Sequence, residues 1–558
     1  METTAGCADN VSRPEGPVPK GCAGIERWPR YSACRYSSID GTSRLATDRF
    51  RQQRDRRRLR RGSLALPPSY VVCDGIIQPI DEWGRAMDLN LTRPGALGNG
   101  RAWCALLIAL ACTAVPMLAA ARPNIVYLLA DDLGWNDVGF HGGKIHTPTL
   151  DRLATGGAVF NALYSQPFST QTRAALLTGR YPMRYGLQTL SLEPSSRYGL
   201  PKEERTLPQA LKASGYRTAF LGHWLLGHAT REQWPGQRGF DLFYGSLSGG
   251  VDSQLRKSAT ADWYRNDRLV KEEGYVTDLL AREADRIISA HDRSAPLFLM
   301  AAFNTPAQFH GVPKSYLDPY RNVPDEARRS YAAAVTALDS AVGSIVAALR
   351  KRGMLDNTLI VFHSDNGGAV PLRYVTGDRD TDRPAADNGS NREGRGSLYE
   401  GGLRVVALAS WPGRIPPGTI VTQPLHVTDM YVTLLTLAGA ALEQPRKPDG
   451  KNAWPVITEG KRIDRKDILL NVDDFSGAIR AEEWKLILHA SLPSRIELFD
   501  IDNDPEESHN LASKYPDRVK ALLARLNEYA YDMVPSLHLE ESIAAGRPVF
   551  WRANPPRR

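Results

Sequence analysis

Residues 123–132 read Pro123-Asn124-Ile125-Val126-Tyr127-Leu128-Leu129-Ala130-Asp131-Asp132. Six consecutive apolar side chains, framed by a proline and an acidic pair, make a run of strand length without period-2 alternation. Such a run predicts a strand covered on both faces, as central strands of a parallel sheet are. The pattern recurs at 359–363, Leu-Ile-Val-Phe-His, which leads into Ser364-Asp365-Asn366-Gly367-Gly368. Residues 296–303 and 405–411 are further candidates. Helical patterns fall between them, at 149–155, 172–177, 207–214, 276–290 and 330–353. Strands alternating with helices predict an α/β fold with a large, mostly parallel sheet flanked by helices.

From about residue 445 the chain changes character. Asp449-Gly450-Lys451-Asn452 is rich in turn residues, 484–488 and 496–500 read as antiparallel strands, and 516–529 reads as a helix. These predict a smaller C-terminal α+β subdomain built on an antiparallel sheet. The organisation expected is an extension at 1–86, a signal at 87–121, the main domain at 122–440, the subdomain at 441–545 and a tail at 546–558.

The chain has 558 residues, 42% of them hydrophobic and 24% charged, ordinary values for globular protein. Its net charge of +8 is uneven: residues 1–121 carry +6 and the remainder +2. The near-neutral body gives no reason to expect nucleic acid, and the Arg-rich run 49–61 is read as a charged tail. All six cysteines (Cys7, Cys22, Cys34, Cys73, Cys104 and Cys112) precede residue 113. The body therefore has no disulfide and no cysteine metal site. Residues 101–121 are apolar, follow Arg93 and Arg101, and end on Ala119-Ala120-Ala121, which is the layout of a secretory signal. Pro116 and the modest length argue against a stable membrane span. Met87 would place this signal at a chain start, so 1–86 reads as an upstream extension and the protein as secreted or periplasmic. The rival reading is a long cytoplasmic tail on a signal anchor.

In doubly wound sheets ligands bind outside the carboxyl ends of strands. Asp131-Asp132 and Asp365-Asn366 follow two such strands. If the loops converge, three carboxylates and an amide oxygen meet, a hard-oxygen set that suits Ca²⁺ or Mg²⁺. Taken alone, either pair would serve equally as a turn or cap.

Residues 168–180, Phe-Ser-Thr-Gln-Thr-Arg-Ala-Ala-Leu-Leu-Thr-Gly-Arg, closely resemble the sulfatase signature Cys-x-Pro-Ser-Arg-x-x-Leu-x-Thr-Gly-Arg. Arg173, Leu176, Thr178, Gly179 and Arg180 match it. The resemblance spans roughly 122–530 and looks closest to arylsulfatase B-like and bacterial arylsulfatases, within the alkaline phosphatase superfamily. It implies one Ca²⁺ ion held by Asp131, Asp132, Asp365 and Asn366 together with residue 169. In the family that residue is a Cys, or a Ser in some bacterial members, oxidised to a formylglycine whose hydrate attacks the sulfate ester.

Several reactive positions differ. Ser169 stands at the nucleophile and Gln171 replaces the proline of the maturation motif. In Gly222-His223-Trp224-Leu225-Leu226-Gly227 the family's Lys is His223 and its His is Leu225; after Phe303-Asn304-Thr305-Pro306 its His is Ala307; before Glu400-Gly401-Gly402 its Lys is Arg395. Ester cleavage needs cations around the sulfuryl oxygens and an acid for the leaving group. Leu225 and Ala307 supply neither. Arg395, and His223 if its pKa is raised, could still hold an anion beside the metal. Arg173, on the helix after Ser169, reads as part of a retained anion pocket or as a structural arginine at a helix start. His141, His146 and His228 lie near the site by resemblance, His310 follows Ala307 without a supporting pattern, and His363 inside an apolar strand reads as core.

Three functions follow. The first is a sulfatase-family protein that binds Ca²⁺, has lost turnover, and holds a sulfated small molecule, a glycan or another anion. The second is an arylsulfatase-type hydrolase with a non-standard site, for which formylglycine conversion at Ser169 is the open step. The third is a phosphate ester hydrolase using Ser169 directly.

Overall fold

The computed structural model describes residues 70–73, 76–79, 122–249, 254–255, 262–370 and 385–546. Residues 70–73 and 76–79 pair as an antiparallel hairpin. The extension, the signal and the C-terminal tail otherwise lie outside the described residues, so the domain boundaries drawn through them stay as expectations.

The run that opens the body forms β1 (Asn124–Asp131). Its side chains alternate between two cores: Val126, Leu128 and Ala130 enter one, and Ile125, Tyr127 and Leu129 the other. A strand covered on both faces needs no polar positions, which explains the unbroken apolar run. Around it, among the described residues, lies a ten-stranded sheet. Its other strands are β2 (Ala158–Phe160), β3 (Arg217–His223), β4 (Leu242–Ser246), β5 (Tyr264–Arg265), β6 (Arg268–Leu269), β7 (Leu297–Pro306), β8 (Thr358–Ser364), β9 (Ala407–Ser410) and β10 (Thr419–Val421). The order is β6-β5-β4-β3-β7-β1-β8-β9-β2-β10. The central five, β4, β3, β7, β1 and β8, run parallel. Antiparallel pairs enter on both sides, at β4–β5 and at β8–β9–β2.

Helices cover both faces. On the first lie α1 (Pro148–Thr155), α4 (Val276–Ala290) and α5 (Glu326–Lys351). On the second lie α2 (Ser169–Thr178), α3 (Leu207–Ala213) and α6 (Val427–Leu437). Among the described residues α5 alone is long and apolar enough to cross a membrane by length and composition, and most of it is buried in the body.

The C-terminal part is a four-stranded antiparallel sheet of β11 (Ile468–Val472), β12 (Ser476–Ala481), β13 (Trp484–His489) and β14 (Arg495–Asp500). Alternation decides its packing. Leu469, Ile479, Leu486 and Leu498 face helix α7 (Pro516–Tyr531) through Leu522 and Leu526. Leu470, Ala478, Ile487 and Phe499 face Tyr164, Leu398, Tyr399 and Leu403 of the main body. The small sheet thus sits directly on residues 398–403, just after Arg395.

Candidate functional site

The parallel register of β1 and β8 pairs Ala130 with Ser364, so both strands release their acidic residues at the same level. The Asp365 amide donates to the Ala130 carbonyl at 3.0 Å. Asp132 turns back in the left-handed region, φ 61°, and its amide donates to Asp365 Oδ1 at 3.2 Å. One carboxylate oxygen from each of Asp131, Asp132 and Asp365 lies within 4.8 Å of the others. Asn366 joins them, its Nδ2 donating to Asp132 Oδ1 at 2.6 Å. All four are buried. The loop fits because Gly367 passes against the Gly401 backbone, where a Cβ would sit 1.6 Å from its carbonyl oxygen.

Helix α2 enters this cluster by its N-terminus, where first-turn amides lack partners within the helix and the helix dipole is positive. Its first residue is Ser169, whose Oγ lies 3.5 Å from Asp131 Oδ1 and 3.4 Å from Asn366 Oδ1. Thr172 fixes the approach, its hydroxyl donating to the Asp365 carbonyl at 2.6 Å. Four residues after Ser169, on the same helix face, Arg173 sends Nη2 to Asp131 Oδ2 at 3.3 Å and to Asp365 Oδ2 at 3.2 Å, while Nη1 donates to the His223 carbonyl at 2.9 Å. Gly179 ends the helix at φ 69°, a conformation open to glycine at little cost.

Opposite Arg173, Arg395 places Nη1 3.3 Å from Asp132 Oδ2. Two guanidinium groups therefore face three carboxylates. Burial and the neighbouring Asp365 charge push Asp131 up to about 7, against the pull of Arg173 and Arg395. Burial likewise lifts Asp365 to about 6, opposed by Arg173 and reinforced by Asp132. The cluster is short of positive charge, and its donors are oxygens.

The expectation that His223 could be a cation is corrected. Burial, with Arg173 adding to it, lowers its pKa to about 3, so the imidazole is neutral. Its Nε2 is buried without a hydrogen-bond partner. Leu225 holds a left-handed backbone, φ 55°, and Ala307 touches the cluster by its backbone amide, which donates to the Asp131 carbonyl at 2.9 Å. Gln171 turns away and donates to the Gln188 carbonyl.

The remaining histidines have other partners. His141 Nδ1 meets the Trp135 carbonyl at 2.9 Å with its ring stacked on Trp135, and His228 Nε2 meets the Pro194 carbonyl at 3.0 Å. His146 is exposed, and so is His310, against the Phe309 ring. His363 is core, between the Tyr127 hydroxyl at 2.7 Å and the Ser364 carbonyl at 2.7 Å.

Sequence reasoning missed the residues that frame the cluster. Tyr331 of α5 donates to the Asp132 carbonyl at 3.2 Å and accepts from the Gly134 amide at 3.0 Å. Asn388 brackets Gly368 with both amide atoms, at 3.0 Å each. The only local signal for Asn388 is Asn-Gly, which reads as a turn.

A family model described as Sulfatase matches residues 123–440, and one described as N-sulphoglucosamine sulphohydrolase, C-terminal, matches 394–532. Arylsulfatase J of Mus musculus is 33% identical over 474 residues, covering 74% of this chain and 77% of that protein. N-acetylgalactosamine-6-sulfatase of Homo sapiens is 33% identical over 372 residues, covering 62% and 68%. The crystal structure of Ps i-CgsB in complex with k-i-k-neocarrahexaose is similar with a TM-score of 0.68 at 33% identity, covering 74% of this chain and 94% of that one.

Proposed function

The chain belongs to the sulfatase family, and on that premise we propose that it holds one Ca²⁺ ion and an oxyanion in the family pocket without turning over sulfate esters. The observation that carries this reading is the contrast within one pocket. Three buried carboxylates, Asp131 and Asp365 bridged by Arg173 and Asp132 met by Arg395, make a binding half. Neutral His223, Leu225 and Ala307 stand where the family's reactive cations and acids belong.

The donor set fits the ion. Three crowded carboxylates outnumber the two guanidinium groups that face them, two of them with raised pKa values, and hard oxygens are what Ca²⁺ takes. When bound, Ca²⁺ would neutralise Asp131, Asp132 and Asp365 and supply positive charge toward an anion. The chain's own residues do the rest. Arg173 and Arg395 orient oxyanion oxygens, and the α2 N-terminus adds its dipole. Ser169 contributes a neutral hydroxyl. No titratable side chain at 225 or 307 can protonate a leaving oxygen, and losing groups that act together removes most of the acceleration, on the order of 10³-fold or more. The ligand class we propose is a sulfated small molecule, a glycan or another anion; the neocarrahexaose held by Ps i-CgsB supports a glycan. Export is part of the same reading and rests on the signal-like residues 101–121.

The test is a steady-state assay of the protein with a chromogenic aryl sulfate and its phosphate analogue in Ca²⁺, with peptide mass mapping of residue 169. The reading expects unmodified Ser169 and no turnover of either ester. Sulfate turnover with formylglycine at 169 would establish the non-standard arylsulfatase instead. Phosphate turnover with unmodified Ser169 would establish the phosphatase.

A further inference from the structure

Beneath Arg395 lies a cluster of buried charge that the metal-and-anion reading does not use. Lys485 of β13 is fully buried, and its Nζ lies 2.9 Å from Glu400 Oε1 and 2.8 Å from Glu507 Oε1, both also fully buried. Glu507 Oε2 accepts from the Glu400 amide at 2.6 Å, and the Tyr164 hydroxyl donates to Glu400 Oε2 at 2.9 Å. The Glu507 carbonyl accepts from Arg392 Nη1 at 2.9 Å.

Two branches of this cluster, through Glu400 and through Arg392, end on the loop that carries Arg395. Glu400 is bound by side chain and amide. Arg392 is held by Glu507, and its carbonyl accepts from the Gly401 amide at 2.9 Å. The Gly402 and Leu403 amides both close on the Tyr399 carbonyl, at 2.9 and 3.2 Å. Residues 392–403 are thus a closed unit whose charged contacts reach the C-terminal sheet. At its outer side Arg395 donates its amide to the Gly368 carbonyl at 3.2 Å and reaches Asp132. Buried ion clusters are poor devices for stability alone, because apolar residues of similar volume do as well. Their geometric demands are strict, and that suits the placing of a loop.

We infer that Lys485, with Glu400 and Glu507, is a positioning unit through which the C-terminal sheet sets Arg395 against Asp132. Lys485 touches no ligand and acts through the loop. The inference rests on the metal-and-anion reading above and deepens it, since Arg395 is one of the two guanidinium groups assigned to the oxyanion.

The position of Arg395 leaves a signature that general damage to the site does not. Arg395 attracts an anion and repels a cation, so its displacement weakens sulfate binding and spares Ca²⁺ binding. The experiment titrates inorganic sulfate and, separately, Ca²⁺ into the full-length protein, into Arg395→Ala, into the charge-balanced Lys485→Met/Glu507→Gln and into the combination. The expected result is sulfate binding about tenfold weaker in both Arg395→Ala and Lys485→Met/Glu507→Gln. Ca²⁺ affinity should hold or rise, and the combination should be no weaker for sulfate than Arg395→Ala, as coupled positions require. Lys485→Arg keeps the charge but moves its donors, so it should cost about threefold in sulfate affinity; it carries the test if the double variant does not fold. Wild-type sulfate affinity in the folded Lys485 variants, or Ca²⁺ affinity falling in step with sulfate, overturns the positioning role alone. A wild-type protein that binds neither ion overturns the parent reading and this one with it.

Discussion

Arg173 Nη2 stands 3.2 Å from Asp365 Oδ2 and 3.3 Å from Asp131 Oδ2, with the Arg173 side chain 1% exposed. One buried cation thus bridges the acids that two different strands deliver. Removing one member of a buried pair leaves the other uncompensated and costs about 3–5 kcal/mol. Arg173→Met is therefore expected to lower the stability of the metal-free protein by about that amount, measured by urea unfolding in chelator. Added Ca²⁺ should return part of the loss, because the cation supplies the missing charge. Equal losses with and without Ca²⁺ would contradict a shared electrostatic role.

The acids also predict a pH dependence. Asp131 at about 7 and Asp365 at about 6 lie above an unfolded aspartate, which titrates near ~3.9. At these two sites the folded state binds more protons than the unfolded state, so the stability they carry is full below the unfolded pKa and falls as pH rises toward 7. Buried neutral His223 and His363 act in the opposite sense, losing stability as pH falls below about 6.5, so the test is a difference: in chelator, Asp131→Asn/Asp365→Asn should gain thermal stability relative to wild type between pH 5 and pH 7.5. With saturating Ca²⁺ the carboxylates are ionised in both conditions, so the difference should shrink or reverse, and Ca²⁺ affinity itself should increase with pH.

Part of this was legible before the structure. The runs ending at Asp131 and Asp365 read as central strands because burial on both faces removes polar positions, and ligands gather at the carboxyl ends of such strands. An apolar run carries no direction, so β9 was legible as a strand but not as an antiparallel neighbour of β8. His223 left its charge open, because depth of burial is a property of the folded surroundings. Tyr331 and the Lys485 cluster left no local trace. Lys485 meets Glu400 across 85 residues, and Glu507 meets it across 107, all three of them types common on surfaces.

His363 gives a prediction away from the site. Its Nδ1 faces the Ser364 carbonyl, an acceptor only, so Nδ1 carries the proton and Nε2 accepts from the Tyr127 hydroxyl. Burial lowers its pKa to about 4, which keeps it neutral at pH 7. Tyr127→Phe leaves a buried acceptor unsatisfied and should cost about 1–3 kcal/mol in urea unfolding. Ca²⁺ and sulfate affinities should match wild type; a drop in either would tie His363 to the site.

Restoring the reactive residues is the strongest demand on the impaired-site reading. Gln171 is the third residue of α2, where a proline is tolerated because the first-turn amides lack helical partners. Ser169→Cys/Gln171→Pro, co-expressed with a formylglycine-generating enzyme, should therefore fold and acquire the aldehyde, as peptide mass would report. Turnover of an aryl sulfate should nevertheless stay near background, because no side chain at 225 or 307 can protonate the leaving oxygen. Adding Leu225→His and Ala307→His returns those groups, and Leu225 already has the left-handed backbone that the new side chain must share. Positioned proton transfer contributes about 10²–10⁴-fold, so the four-residue variant should exceed the two-residue variant by at least the lower bound. Full turnover from Ser169→Cys/Gln171→Pro alone would mean that positions 225 and 307 are not what limits this pocket.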